Sequence, residues 1–375
     1  MGGALRLGGL GAALTLVAAA LDAEPLFVPG VALLLIAAGA CGWVWAAAHG
    51  LSVTRAVGST TVVEGAPITV RTEVRSPWLL TPTGTLDDGL LGEPVALEGG
   101  RDRGVRVLHA TPRFPRRGRI ALPPPEVTVR DPFGLAVRTV AGHPHELLVL
   151  PAIHPVLRTD GGGDGDAIGR RQARSRVTAE VELDGLRPLR SGTSAARISW
   201  AVWARTGEMY ERHLRPDGDD RPIVVLDTRT ASPGAGPGET TIDADEQLDA
   251  AVRATASLCV FLAGRGGCSL LLPGDRQPVA LQPGLGGWPR QHIRLALVRG
   301  GGTPAAGALT GRIGVIFYVS AQPLTGTPRV LAHAAGNGRV LVVPAGMPGR
   351  TPTFEVAGCS GYDLAPRGAV HGTAA

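Results

Sequence analysis

Two stretches near the N-terminus are almost purely apolar: residues 5–21, broken only by Arg6, and Leu26–Ala48, which carries no charge at all. The second is long enough to span a bilayer core of about 30 Å. Trp43 and Trp45 near its end fit an interfacial aromatic belt. The linker Asp22-Ala23-Glu24-Pro25 is too short for a mature exported terminus, and a second apolar span follows it directly, which argues against a cleaved signal peptide. The pattern predicts a transmembrane hairpin over residues 1–50, with Gly8, Gly11, Gly39 and Gly42 letting its helices approach closely. Arg6 precedes the first helix, Arg55 follows the second, and the linker is acidic. The positive-inside rule then places both ends, and the soluble parts, in the cytoplasm.

From residue 51 to 151 the period changes to two. Ile68–Arg75 largely alternates apolar and polar residues, with Thr72 as the one polar break. Val105–Leu108 and Val127–Arg130 repeat the theme between Pro and Gly clusters. Alternation with one wet face predicts an antiparallel, sandwich-like all-β domain. Residues 152–180 lose all apolar period and are rich in Gly, Asp and Arg, as expected of a flexible linker.

The period changes again after Arg221. Ile223–Leu226 is a wholly apolar run ending at Asp227, the pattern of a central parallel strand. Asp243–Leu262 carries a helical stripe through Leu248, Val252, Thr255, Cys259 and Leu262. Asp243 and Glu246 resemble a capping box. Strands follow at 269–272, 313–319 and 339–343, with helices at 290–298 and 328–335 between them. Residues 181–365 therefore read as an α/β domain with an open sheet, and residues 366–375 as a disordered tail. Ligands in such sheets sit at carboxyl ends of strands, here Asp227, Ser320 and Pro344.

Composition narrows the chemistry. The chain has 375 residues and no lysine, so all 37 basic residues are Arg. A Walker-type phosphate lysine, a Schiff-base lysine and a Ser-Lys dyad are excluded. The net charge of +5 suits an anionic membrane surface, whereas no nucleic-acid module is legible. The four cysteines lack C-x-x-C spacing, as expected of free thiols in a reducing compartment. There is no G-x-S-x-G, and His143-Pro144-His145 has no partner at metal spacing and reads as an exposed turn.

Residues 183–227 are the most informative segment. Arg187, Arg190, Arg197, Arg205 and Arg212 are interleaved there with Trp200, Trp203 and Tyr210. One reading packs both tryptophans on the sheet, with the arginines bonding nearby carbonyls and acids. The other makes Arg187, Arg190, Arg197, Trp200 and Arg205 a docking surface for an acidic partner. The spacing of Leu186-Arg187-Pro188, Gly192, Arg197-Ile198-Ser199-Trp200, Ala204-Arg205 and Gly207 resembles the bacterial family called domain of unknown function 58. Arg117-Gly118-Arg119-Ile120, Pro123 and Asp131-Pro132-Phe133-Gly134-Leu135 look like its "RG…DPFGL" pattern. Thr193 and Ser199 stand where that family usually has acids. In the second motif Asp131-Pro132 favours a turn and Phe133 can plug an apolar gap.

The resemblance implies a von Willebrand factor A-like fold for the α/β domain and a MoxR-type AAA ATPase as partner. Such domains often hold a divalent cation through D-x-S-x-S after the first strand. This chain reads Asp227-Thr228-Arg229-Thr230-Ala231-Ser232, with Arg229 and Ala231 at the serine positions. With so few oxygen ligands left, no metal or other cofactor is expected. The leading expectation is a membrane-anchored, non-catalytic interaction protein acting in cell-envelope assembly or protein activation. The competing one is a metal-assisted hydrolase using Asp227 with Asp217, Asp219 and Asp220.

Overall fold

The structure is a computed structural model that describes residues 2–77, 83–97, 104–159, 183–188, 199–214, 221–229, 241–309, 314–324, 326–332, 338–344 and 346–364. The chain divides into two compact units, Met1–Val149 and Leu150–Ala375. Most of the Gly-rich linker (160–182), the tail from residue 365, and Arg190, Arg197, Asp217, Asp219 and Asp220 lie outside the described residues.

The first unit begins with two helices, α1 (Gly2–Ala20) and α2 (Glu24–Ala48), both long and apolar enough to cross a membrane. Leu5, Leu16, Val28 and Leu35 point outward, leaving a large apolar surface without protein cover. The helices cross most closely at Gly11 and Gly30. A Cβ on Gly11 would meet the Gly30 carbonyl oxygen at 2.9 Å, and one on Gly30 would meet Thr15 Oγ1 at 2.6 Å. Gly8 makes only an ordinary contact with Ala37. Gly39 and Gly42, expected at the crossing, face open space there, while Gly30 takes the place they were assigned.

Ten strands follow: β1 (Ser52–Val57), β2 (Thr61–Val63), β3 (Val70–Arg75), β4 (Gly84–Asp87), β5 (Val95–Leu97), β6 (Val105–Ala110), β7 (Gly118–Leu122), β8 (Glu126–Arg130), β9 (Val137–Ala141) and β10 (His145–Leu150). They form three small sheets, ordered β1-β3-β6, β2-β10-β7 and β5-β4-β8-β9. The β1–β3, β3–β6, β7–β10 and β4–β8 pairings are antiparallel, as the alternation predicts. Leu86, Val127 and Val129 centre one apolar cluster, and Val70, Leu147 and Val149 another.

A buried charge pair interrupts this apolar interior. Arg55, which the sequence offers as a flanking charge, is folded inside with its side chain fully enclosed. Its Nη2 donates to Asp88 Oδ1 at 2.7 Å and to the Pro123 carbonyl at 2.8 Å. Thr72, the polar break in β3, donates its hydroxyl to Asp88 Oδ2 at 2.8 Å. Burying a carboxylate costs several kcal/mol unless it is paired and hydrogen-bonded, and Asp88 is both.

The DPFGL turn is built by its aspartate. Asp131 Oδ1 accepts the Ala136 N–H at 2.6 Å and Oδ2 accepts the Phe133 N–H at 3.0 Å. Gly134 takes a positive φ of 69° that a side chain would strain. Phe133 does not plug a gap; it is 75% exposed at the tip.

The second unit holds an eight-stranded mixed sheet, ordered β11-β19-β20-β18-β17-β14-β15-β16. These strands are β11 (Leu157–Arg158), β14 (Ile223–Asp227), β15 (Cys268–Leu271), β16 (Val279–Leu281), β17 (Ile316–Ser320), β18 (Arg339–Pro344), β19 (Phe354–Val356) and β20 (Cys359–Asp363). The central four pair in parallel. The outer strands are antiparallel. Among the described residues this unit has four helices: α3 (Trp200–Thr206), α4 (Thr241–Ala263), α5 (Trp288–Ala296) and the single turn α6 (Arg329–Ala332).

One sheet face packs on α4 and α5 through Val224, Leu226, Ala251, Leu258 and Leu295. The other carries Ile223, Val225, Tyr318 and Leu341 under Leu331 of α6 and Leu309 of a 3-10 turn. Helix α4 starts at Thr241, which puts Asp243 inside its first turn instead of at the capping position. The first residues of the segment expected as a linker (152–180) are instead tied to this unit, with Leu157–Arg158 pairing on β19. Pro151 O lies 2.8 Å from His292 Nε2, and the Ser257 hydroxyl accepts the His154 N–H at 2.9 Å.

Candidate functional site

The chain passes from β14 to β15 on one side of the sheet, while β17 and β18 lie on the other. That reversal marks a topological switch point at the carboxyl ends of β14 and β17, where open α/β sheets usually bind ligands. Asp227 and Ser320 end these two strands and are register partners.

All five residues of β14 are buried, so the apolar run delivers the Asp227 carboxylate at 0% exposure. Such a charge needs partners. Arg229 turns back and donates Nε to Oδ1 at 3.1 Å and to Oδ2 at 3.0 Å. Its Nη2 donates to Oδ2 at 2.5 Å, and its backbone N–H to Oδ1 at 3.1 Å. Tyr318, on the neighbouring strand, adds its hydroxyl to Oδ2 at 2.6 Å. The hydrogen bond to Asp227 raises the Arg229 guanidinium further above its ordinary range, against the opposing effect of burial. Burial first, then the bond to Asp227, raises the Tyr318 hydroxyl, which stays a proton donor.

The other oxygens at this edge are also engaged. The Thr228 hydroxyl donates to the Gly302 carbonyl at 3.2 Å and accepts the Gly302 N–H at 3.0 Å. A Cβ on Gly302 would meet Pro273 at 2.6 Å, so only glycine allows this approach. The Ser320 hydroxyl donates to the Gln322 carbonyl at 3.0 Å and accepts its N–H at 3.2 Å. Among the described residues no cluster of three or more His, Cys, Asp or Glu side chains is placed to hold a metal. Ala231 and Ser232 lie outside the described residues. Chemically, the cluster is a closed ion pair: the guanidinium presents to Asp227 the positive charge a cation would bring.

Sequence reasoning identified Asp227 and Arg229 but not Tyr318, whose hydroxyl is hidden in an apolar run. His143 is exposed and its carbonyl lies 3.1 Å from His145 Nδ1. Burial pushes the Cys359 thiol up to about 12, which leaves it inert as a nucleophile near neutral pH.

The Arg/Trp segment forms a separate element. Strands β12 (Leu183–Pro188) and β13 (Tyr210–Leu214) pair antiparallel, and the Ser199 N–H bonds the Tyr210 carbonyl at 2.9 Å to seat α3 on them. Arg187 lies on β12, and Trp200 and Arg205 on α3. The tryptophans are not packed away: Trp200 is 51% and Trp203 42% exposed. Their rings meet edge to face at 6.0 Å, and Arg205 is exposed on the same helix.

No family model matches the chain, and no curated protein matches it.

Proposed function

We propose that this chain is a membrane-anchored, non-catalytic interaction protein of the domain of unknown function 58 type. In this reading α1 and α2 form a two-pass anchor in the cytoplasmic membrane, with both soluble regions on the cytoplasmic side. The mixed sheet serves as a von Willebrand factor A-like module for docking, and the partner is a MoxR-type AAA ATPase acting in cell-envelope assembly or protein activation.

The observation that carries the reading is the exposed Trp200–Trp203 pair on α3. Trp and Arg dominate binding energy at protein interfaces, and two half-exposed indoles on a seven-residue helix gain little from the fold itself. Arg187, Arg190 and Arg197 would extend the surface toward an acidic partner. The engagement of Asp227 supports docking over hydrolysis, because a metal would first have to displace the Arg229 guanidinium.

The test is binding between the full-length chain in nanodiscs and a MoxR-type ATPase, with and without nucleotide. Trp200→Ala combined with Trp203→Ala should weaken binding by about tenfold or more. Failure of the unaltered chain to bind in any nucleotide state would remove the proposal.

A further inference from the structure

The hairpin and the β region of the first unit meet at the DPFGL turn. Leu135 and Ala136 pack with Ala4, Ala40 and Val44. The Leu135 carbonyl accepts the Ala4 N–H at 2.8 Å, satisfying one of the donors left open at the start of α1. Beside this contact runs a crevice of about 340 Å³ between α2, at Gly42, Val44 and Trp45, and the segment Ala136–Arg138 that leads into β9.

Its walls are almost wholly apolar, and the exposed Arg138 is the one charged residue that lines it. Arg138 is exposed and forms no ion pair among the described residues. Trp45 is 58% exposed along one wall, and the exposed Phe133 sits on the turn that forms the other. Trp45 lies close to the end of α2, so a membrane-spanning α2 places the crevice at the headgroup boundary, where aromatic side chains collect. At that depth the molecule available to fill an apolar slot is a lipid. An exposed arginine lining the slot favours an anionic phosphate, which a guanidinium can bind through a bidentate fork.

We infer that the crevice holds one anionic phospholipid, with an acyl chain along Gly42–Trp45 and its phosphate on Arg138. This inference rests on the membrane-anchor reading. The lipid would act as a wedge that fixes the angle at which the β region leaves the bilayer.

The experiment uses the full-length chain in nanodiscs of equal parts phosphatidylcholine and phosphatidylglycerol, released into native mass spectrometry. The expected result is one retained phosphatidylglycerol per chain, preferred over phosphatidylcholine. Arg138→Gln should lower that retention about fivefold, since one arginine near an anionic surface contributes about that much. Arg138→Lys should keep most of it. Gly42→Phe fills the slot, and because a Cβ at Gly42 meets nothing within 4 Å, the helix pair stays intact while retention falls. Equal retention of the two lipids, or unchanged retention in Arg138→Gln, overturns the inference while leaving the anchor standing. A chain that carbonate washing strips from membranes overturns both.

Discussion

Arg229 binds the carboxylate of Asp227, two positions before it, through both Nε and Nη2, and so closes the carboxyl edge of the sheet from within. Arg229→Ala leaves a fully buried carboxylate supported by Tyr318 and one backbone N–H. It should destabilise the second unit by about 2–3 kcal/mol, discounted from a fully buried pair because the Arg229 side chain is 43% exposed. Arg229→Ser removes the internal cation and supplies a hydroxyl oxygen. Thermal melting with millimolar Mg²⁺, Mn²⁺ or Ca²⁺ should leave the unaltered chain unmoved and stabilise Arg229→Ser. A cation-dependent shift in the unaltered chain, lost in Asp227→Asn, would instead favour the hydrolase reading.

Asp88 supports Arg55, Thr72 and the Leu90 N–H together. Asp88→Asn strands a guanidinium in the interior of the β region and should cost about 3–5 kcal/mol. Thr72→Val removes one hydroxyl donor and should cost about 1–2 kcal/mol. Hydrogen exchange over β1 and β3 in the detergent-solubilised chain reads both. Equal protection in Asp88→Asn and the unaltered chain would show that the pair contributes nothing.

His292 stacks on Trp288 and sits against the Pro151 carbonyl. Burial lowers its pKa below 6.5, partly offset by the bond to Pro151. The folded state therefore binds a proton less readily than the unfolded one. The His292 contribution is intact above pH ~6.5 and is lost as pH falls from there toward the depressed folded value. Exchange protection of Trp288–Ala296 should fall more steeply between pH 7.5 and 5.5 in the unaltered chain than in His292→Gln. Parallel slopes would rule out the effect.

Gly30 marks the tightest point of the hairpin, so Gly30→Leu should separate the helices at a cost of about 1–3 kcal/mol. Gly39→Leu is the control, because its Cβ meets nothing within 4 Å. Melting temperatures in one detergent compare them, and an equal drop in both variants would place the crossing elsewhere.

The two long helices were legible because membrane-length apolar runs need only counting. Their contact point was legible on α1, at Gly11, but not on α2, where helix rotation chose Gly30 over Gly39 and Gly42. The central strands were legible from continuous apolar runs at 223–226 and 340–343. The antiparallel outer strands were not: β16 and β19 have three residues each, and Gly361 interrupts β20 to make room for the Phe354 ring. At the sheet edge the sequence revealed the acid and the arginine, but adjacency along the chain could not reveal Tyr318, whose hydroxyl arrives from another strand. Thr72 was visible as an anomaly, and its reason lies in Asp88, sixteen residues away. Phe133 was misjudged because its turn is held by Asp131, leaving the ring free of packing duty.

The bond from Leu135 to Ala4 also orders events in time. A nascent chain whose first helices have just emerged from the ribosome has not yet made the turn that receives them. The hairpin must therefore wait, unseated at one end, until the polypeptide has grown past the β9 segment. Truncations that stop short of it would leave the first turn of α1 without its clasp.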